Sequence, residues 1–297
     1  MKFFLFEQIK YWYRKYIPKK IRISITKIIP FWVELRFFSF KTRNFDLENQ
    51  GLGEAKKLIY LCNELNIYDG YYVDIGASDG WSSSCTYPFA KNDNFKGLSI
   101  ELDKKAYKKM EFIYKNFKNV QLSNSKATPK NVVKLFEEYN VPKNFDVLNI
   151  DIDSYDLFVV KSLLNSYKPK IISMEINEKI PPPIYFTVKY DEEHFWKGDD
   201  FFGCSLQAAY EEVRLFGYKL LELVYHNAIF VLEDLASNIP DLSPSDAYKE
   251  GYINKPDRKE RFHYNNKHEI LFEMNHKDSV NYINELFCDY SKKYEIK

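Results

Sequence analysis

The sequence has no Cys-x-x-Cys pair. Cys62, Cys85, Cys204 and Cys288 stand far apart, which excludes a zinc site built on paired thiols and leads us to expect reduced cysteines, as in a cytoplasmic protein. No apolar run approaches the roughly 20 residues that span a bilayer. Phe3-Phe4-Leu5-Phe6 stops at Glu7, too short for a signal-peptide core. Glycine is scarce, 10 in 297 residues. Its placing excludes two nucleotide signatures: neither Gly-x-Gly-x-x-Gly nor Gly-x-x-x-x-Gly-Lys-Ser/Thr occurs. Net charge is almost absent at +1, but it is unevenly spread. Residues 1–42 hold ten Lys/Arg against two Asp/Glu, and the remainder holds 33 against 40. The body of the chain is therefore acidic, a poor surface for nucleic acid.

What is present centres on Tyr71–Gly80, YYVDIGASDG. Tyr71-Tyr72-Val73 with Ile75 reads as a buried strand. Gly76-Ala77-Ser78-Asp79-Gly80 reads as a tight turn, and Trp81 to Ala90 as a helix with Ser82, Ser83 and Ser84 near its N-terminus. A strand, a small-residue turn and a helix form a nucleotide-type cradle. Its acids, Asp74 and Asp79, disfavour phosphate and suit a cationic ligand bearing an amino group and a sulfonium. The next strand, Gly97-Leu98-Ser99-Ile100, ends in Glu101. An acid about 20 residues past such a turn occupies the ribose-diol position of a doubly wound sheet.

Three motifs then follow one another in order: VDIGASDG, SIELD and DVLNIDIDSYD. Together they resemble the S-adenosylmethionine-dependent methyltransferases, above all the FkbM-type group, over about Gly70 to Val231. The group's usual turn carries Asn where this chain has Ser78. Met174-Glu175-Ile176-Asn177 is similar to its Ile-Glu-x-Asn pattern. The resemblance implies a doubly wound, Rossmann-like, seven-stranded α/β sheet closed by an antiparallel pair, here Tyr218–Val224 and Asn227–Leu232. It implies S-adenosylmethionine over Asp74, Gly76, Ser78, Asp79 and Gly80, its ribose on Glu101, and its adenine near the loop holding Asn124 and Lys126. It implies O-methylation of a hydroxyl on a sugar or glycan precursor.

The residues add candidates of their own. Asp151, Asp153 and Asp156 crowd the end of the fourth strand, and Glu175 ends the fifth. Like charges this close call for a cation or a proton. Asp151, Asp153 and Glu175 are the candidate catalytic acids, and Asp151 also touches the donor site. Asp151 and Asp153 are candidate ligands for a divalent ion such as Mg²⁺. A helix cap made by Asp153 or Ser154 is the structural alternative. Residues 179–200 read as a long loop, the kind that covers a site, and with Asn177 it supplies acceptor candidates: Tyr190, His194, Trp196 and Asp200. The domain division is a basic aromatic helical appendage at 1–42, a catalytic domain at 43–233 and a polar extension at 234–297. The appendage suits either peripheral contact with the anionic inner face of a membrane or packing on the domain or on a second subunit of a homo-oligomer. Two other readings stand beside the methyltransferase: a nicotinamide-dependent oxidoreductase on the same sheet, and a non-catalytic membrane-associated binding module.

Overall fold

The computed structural model describes residues 52–82 and 84–297. The basic appendage at 1–42 lies outside the described residues, and so does Ser83. The described residues all fall within one compact unit.

The expected doubly wound, Rossmann-like sheet is present. Helix α1 (Glu54–Glu64) precedes strand β1 (Tyr71–Ile75). Then come α2 (Tyr87–Lys91), β2 (Lys96–Ile100), α3 (Lys104–Tyr114), β3 (Val120–Ser123), α4 (Val132–Glu138), β4 (Val147–Ile150), α5 (Asp156–Leu164) and β5 (Ile171–Glu175). Strand β6 (Phe186–Val188) lies outside the main sheet. Helix α6 (Leu206–Val213) leads to the hairpin of β7 (Tyr218–Val224) and β8 (Asn227–Leu232). The sheet order is β3-β2-β1-β4-β5-β8-β7. β1 to β5 are parallel, and β8 joins β5 antiparallel with Glu175 opposite Asn227. The order reverses between β1 and β4, so their carboxyl ends open a crevice, the position where such sheets bind ligands. β4 is buried throughout, and Tyr72, Val73 and Ile75 of β1 are fully buried. This explains why both read as apolar runs rather than as alternating patterns.

Two sequence expectations change. The helix expected over 81–90 begins only at Tyr87. Pro88 has no N–H to donate to the Ser84 carbonyl, so it is tolerated only in the first turn. The stretch before it is a turn, with Trp81 N and Ser82 N donating to Asp79 Oδ1 at 3.1 and 2.7 Å. The loop expected over 179–200 contains β6, which pairs antiparallel with β9 (Tyr294–Ile296) at the far end of the chain. Helix α6 starts at Leu206, where Ser205 Oγ accepts from Ala208 N.

The polar segment after residue 233 packs closely on the sheet. Gly251 lies so near β7 that a Cβ there would sit 2.0 Å from the Leu223 carbonyl oxygen. Helix α7 (Pro244–Tyr248), α8 (Arg258–Arg261) and α9 (His276–Leu286) each bury residues, Ile283 completely. Ile283→Ala should cost about 2–5 kcal/mol, the range for truncating a buried aliphatic side chain. Urea unfolding should remain a single transition with a lower midpoint. A separate early transition would show that the segment folds apart from the sheet.

Candidate functional site

The turn after β1 is built around Gly76. Its φ is +88°, and a Cβ there would lie 1.7 Å from the Asp151 carbonyl oxygen. Only glycine allows the ends of β1 and β4 to meet this closely. Gly76 N and Ala77 N both donate to the Ile100 carbonyl at 3.0 Å, tying the turn to β2. Ser78 has φ +50°, a left-handed conformation that Asn tolerates better than Ser. This is a physical reason for Asn at that position in the resembled group. Ser78 N donates to Glu101 Oε2 at 2.7 Å, and Asp103 N to Glu101 Oε1 at 2.6 Å. Each Glu101 oxygen thus keeps acceptor capacity for a further donor. Burial raises the Glu101 carboxyl above its ordinary pKa.

Asp74 is buried inside β1. Its carboxylate accepts from Thr86 Oγ1 at 2.5 Å and from Asn149 Nδ2 at 2.8 Å. Burial still outweighs these bonds and pushes its pKa up to about 6. Cys85 closes the same cluster, donating to Asn149 Oδ1 at 3.1 Å, and burial pushes its thiol up as well.

Above these strand ends lies a cavity of about 780 Å³, within the range of small-molecule sites. Of the expected donor residues, Asp74, Gly76, Ser78, Glu101, Lys126 and Asp151 line it. Asp79, Gly80 and Asn124 do not. Asp79 caps the turn as described. Gly80 faces α3, where Tyr114 Oη donates to its carbonyl at 2.7 Å. Asn124 Nδ2 donates to the carbonyls of Glu101 and Leu102 at 2.8 and 3.1 Å. It holds the strand end on which Glu101 stands.

On the other side, Asp151, Asp153 and Glu175 converge, with ligand atoms all within 4.8 Å of one another. Burial first, then Asp153 and Asp156, push the Asp151 carboxyl well up; burial and Asp151 do the same to Glu175. Burial raises Asp153 too, opposed by His226 and Lys179. Glu175 Oε2 is shut off from solvent and has no hydrogen-bond partner. Oxygen donors at this spacing suit a hard divalent ion. Asp156, read with this cluster in the sequence, turns away: it accepts from Ile152 N at 2.8 Å and Ser154 N at 3.0 Å. The cap expected of Asp153 or Ser154 is not formed: the N-cap position of α5 is Tyr155, without a side-chain cap bond, and Asp156, whose pKa burial pushes up to about 6, ties down the turn before the helix.

The acceptor candidates divide. His194 and Trp196 line the cavity. Tyr190 packs edge-on against the cavity-lining Tyr155 at 4.9 Å. Asn177 and Asp200 are not there. Asn177 is fully buried, and its amide donates to the carbonyls of Asp200 and Phe202 at 2.9 and 3.1 Å. Asp200 pairs with Lys267 at 2.5 Å and lies 3.2 Å from His268 Nε2. Burial alone would raise its pKa, but hydrogen bonds from His268 and Lys267 hold it well below the usual range. Both residues fasten the base of the loop. Sequence reasoning missed Asn149, Tyr155 and Phe195. An amide inside a hydrophobic strand was the one available signal for Asn149; the aromatics carried none.

No protein-family model matches the chain, and no curated protein matches it. Solved structures do. A Klebsiella pneumoniae protein provisionally described as an O-methyltransferase matches with 13% identity over 75% of this chain and 94% of its own, at a TM-score of 0.42. The N-terminal domain of EvdMO1, solved with SAH and D-fucose, matches with 10% identity over 63% of this chain and 83% of that one, TM-score 0.40. A SAM-dependent methyltransferase from Aquifex aeolicus matches with 12% identity over 64% and 100%, TM-score 0.36. At these identities and scores the likeness says nothing about substrate.

The raised carboxyl of Asp74 has a consequence for stability. The folded state keeps this proton up to about pH 6, while the unfolded chain releases it near 3.8. The stability it confers is complete below about pH 4 and is lost as pH rises through 6. The urea midpoint of the ligand-free protein should therefore fall between pH 4 and 6.5. Asp74→Asn can still accept from Asn149 and donate to Thr86 Oγ1. It should remove about one proton's share of that slope, at most about 3 kcal/mol. An unchanged slope would mean that Asp74 is ionised throughout.

Proposed function

We propose that this chain is an S-adenosylmethionine-dependent methyltransferase of the FkbM type that methylates a hydroxyl on a sugar or glycan precursor. One observation carries the donor assignment: Glu101 at the end of β2 is hydrogen-bonded to the Gly76 turn and lines with it a cavity whose strand ends bring acids and no phosphate-binding glycine loop. The donor would supply an electrophilic methyl group on a positively charged sulfur. Glu101 would accept from the ribose hydroxyls with the acceptor capacity its two backbone bonds leave free. Asp74 and Asp151 would stand near the donor's ammonium and sulfonium, and that positive charge would favour the ionised form of the raised Asp151 carboxyl.

A hydroxyl acceptor is favoured by the acids at β4 and β5. Asp153 is the acid opposed by His226 and Lys179, which makes it the carboxylate suited to take the hydroxyl proton. The orphaned Glu175 Oε2 favours a second route, in which Asp151, Asp153 and Glu175 hold a divalent ion such as Mg²⁺ that lowers the pKa of the hydroxyl. The sugar rests on the sequence resemblance. The nicotinamide reading is disfavoured by the missing glycine fingerprint and by the antiparallel β8. Among the described residues no helix is long and apolar enough to cross a membrane. Peripheral attachment through 1–42 remains a proposal supported by its charge, and flotation with anionic liposomes at low and high salt tests it.

Calorimetry with S-adenosylhomocysteine and with NAD tests the donor. The protein should bind the first and ignore the second. Glu101→Gln keeps the size of the side chain but weakens its acceptor strength, and should lose affinity by about tenfold or more, the scale of a hydrogen bond to a charged group. Unchanged binding would remove Glu101 from the site.

For the acceptor side, Asp153→Asn should bind the donor normally and lose transfer to monosaccharide acceptors. Chelation of the wild type should halt a metal route and leave a pure general-base route running. Normal turnover by Asp153→Asn would make the cluster structural.

A further inference from the structure

The loop over the cavity presents large apolar side chains that the fold leaves half in solvent. Phe195 is 55% exposed and Trp196 44%, and both line the cavity together with Leu102, itself 46% exposed. Apolar surface left open in a concave site is surface a ligand gains by covering. Position decides which ligand. Leu102 follows Glu101 directly, at the end of β2. Phe195 lies at the neighbouring end of β3, because the Lys126 ammonium sits over its ring, 4.5 Å from the centroid. Lys126 belongs to the segment just after β3. Its amine also donates to the Glu192 carbonyl, and Lys130 pairs with the Glu192 carboxylate at 3.0 Å. Residues 192–195 of the loop are thus fastened over the β2–β3 half of the cavity, while Tyr190 packs on Tyr155 beyond β4. The acids Asp151, Asp153 and Glu175 stand at β4 and β5, on the other half.

We infer that Phe195 is a donor-binding residue whose ring covers the adenosine half of S-adenosylmethionine. The inference rests on the methyltransferase reading and deepens it: this part of the loop serves the donor, although the sequence pointed to an acceptor lid. A purine is flat and stacks on aromatic and apolar side chains whatever its hydrogen-bonding edges do. Leu102 supplies apolar surface beside the ribose-binding acid, and Phe195 supplies it from the loop. The lysine on one face of the Phe195 ring holds that ring in place through a cation–π contact.

The experiment is calorimetry with two ligands on the full chain. S-adenosylhomocysteine carries both halves of the donor. 5′-Deoxy-5′-methylthioadenosine keeps the adenosine and lacks the amino-acid half. Phe195→Ala should weaken both by the same factor, about tenfold or more, the scale of one base stacked on one aromatic ring. Phe195→Trp should hold both near the wild-type affinity. The melting temperature of Phe195→Ala should not move, since more than half of this side chain is in solvent. If Phe195→Ala binds both ligands as tightly as the wild type, or loses only S-adenosylhomocysteine, the ring does not cover the adenosine and the inference is overturned. If the wild type binds neither ligand, the donor reading itself fails and takes this inference with it; the wild-type titration separates the two failures.

Discussion

Repulsion among carboxyl groups is the constraint around which this sheet edge is arranged. Asp74, Glu101, Asp151, Asp153, Asp156 and Glu175 all stand at or just beyond the carboxyl ends of β1, β2, β4 and β5. Each buried or half-buried negative charge needs a donor, a cation or a proton. The fold supplies donors selectively. Asp156 receives two backbone N–H groups and Glu101 two more. Asp74 receives a hydroxyl and an amide. Asp151, Asp153 and Glu175 face one another instead, with Glu175 Oε2 left without a partner. The groups given donors shape the crevice. Asp151 and Glu175, whose carboxyls burial and their neighbours push well up, hold the protons that a cationic partner would displace.

Much of this was legible in the sequence because it is local. A buried parallel strand announces itself as a short apolar run, and a tight turn by its small residues, so β1, β2, β4 and β5 could be placed along with the acids that end them. Spacing alone placed Glu101 at the end of β2. What could not be read is the direction in which a polar side chain turns once a strand has ended. Asn177 and Glu175 are two residues apart, yet Asn177 faces the backbone of residues 200 and 202 while Glu175 faces the acids. Asn124 and Asp200 were misplaced for the same reason: each has a backbone carbonyl or an ion-pair partner that only the tertiary fold brings near. The β6–β9 pair joins segments more than a hundred residues apart, and no local pattern foretells such a pairing.

Composition also misled. The segment after residue 233 is rich in Asn and Lys and reads as a polar extension, yet it carries the base of the loop over the cavity. Lys189 N donates to the Lys293 carbonyl at 2.8 Å. The ring of Phe201 stacks face to face on Tyr290 at 3.9 Å, and Tyr290 Oη donates to Asp199. The loop is therefore held at its base by the C-terminal segment and at its tip by Lys126 and Lys130, through Glu192. The two anchorages differ in kind. The base is buried aromatic packing with backbone hydrogen bonding, which salt hardly affects. The tip is held by exposed lysines, through the Lys126 bond to the Glu192 carbonyl, its contact with the Phe195 ring, and the Lys130–Glu192 ion pair, which is worth little by itself and is screened by salt. The tip, where Phe195 meets the β3 edge of the cavity, is therefore the part of the loop whose anchorage depends on salt.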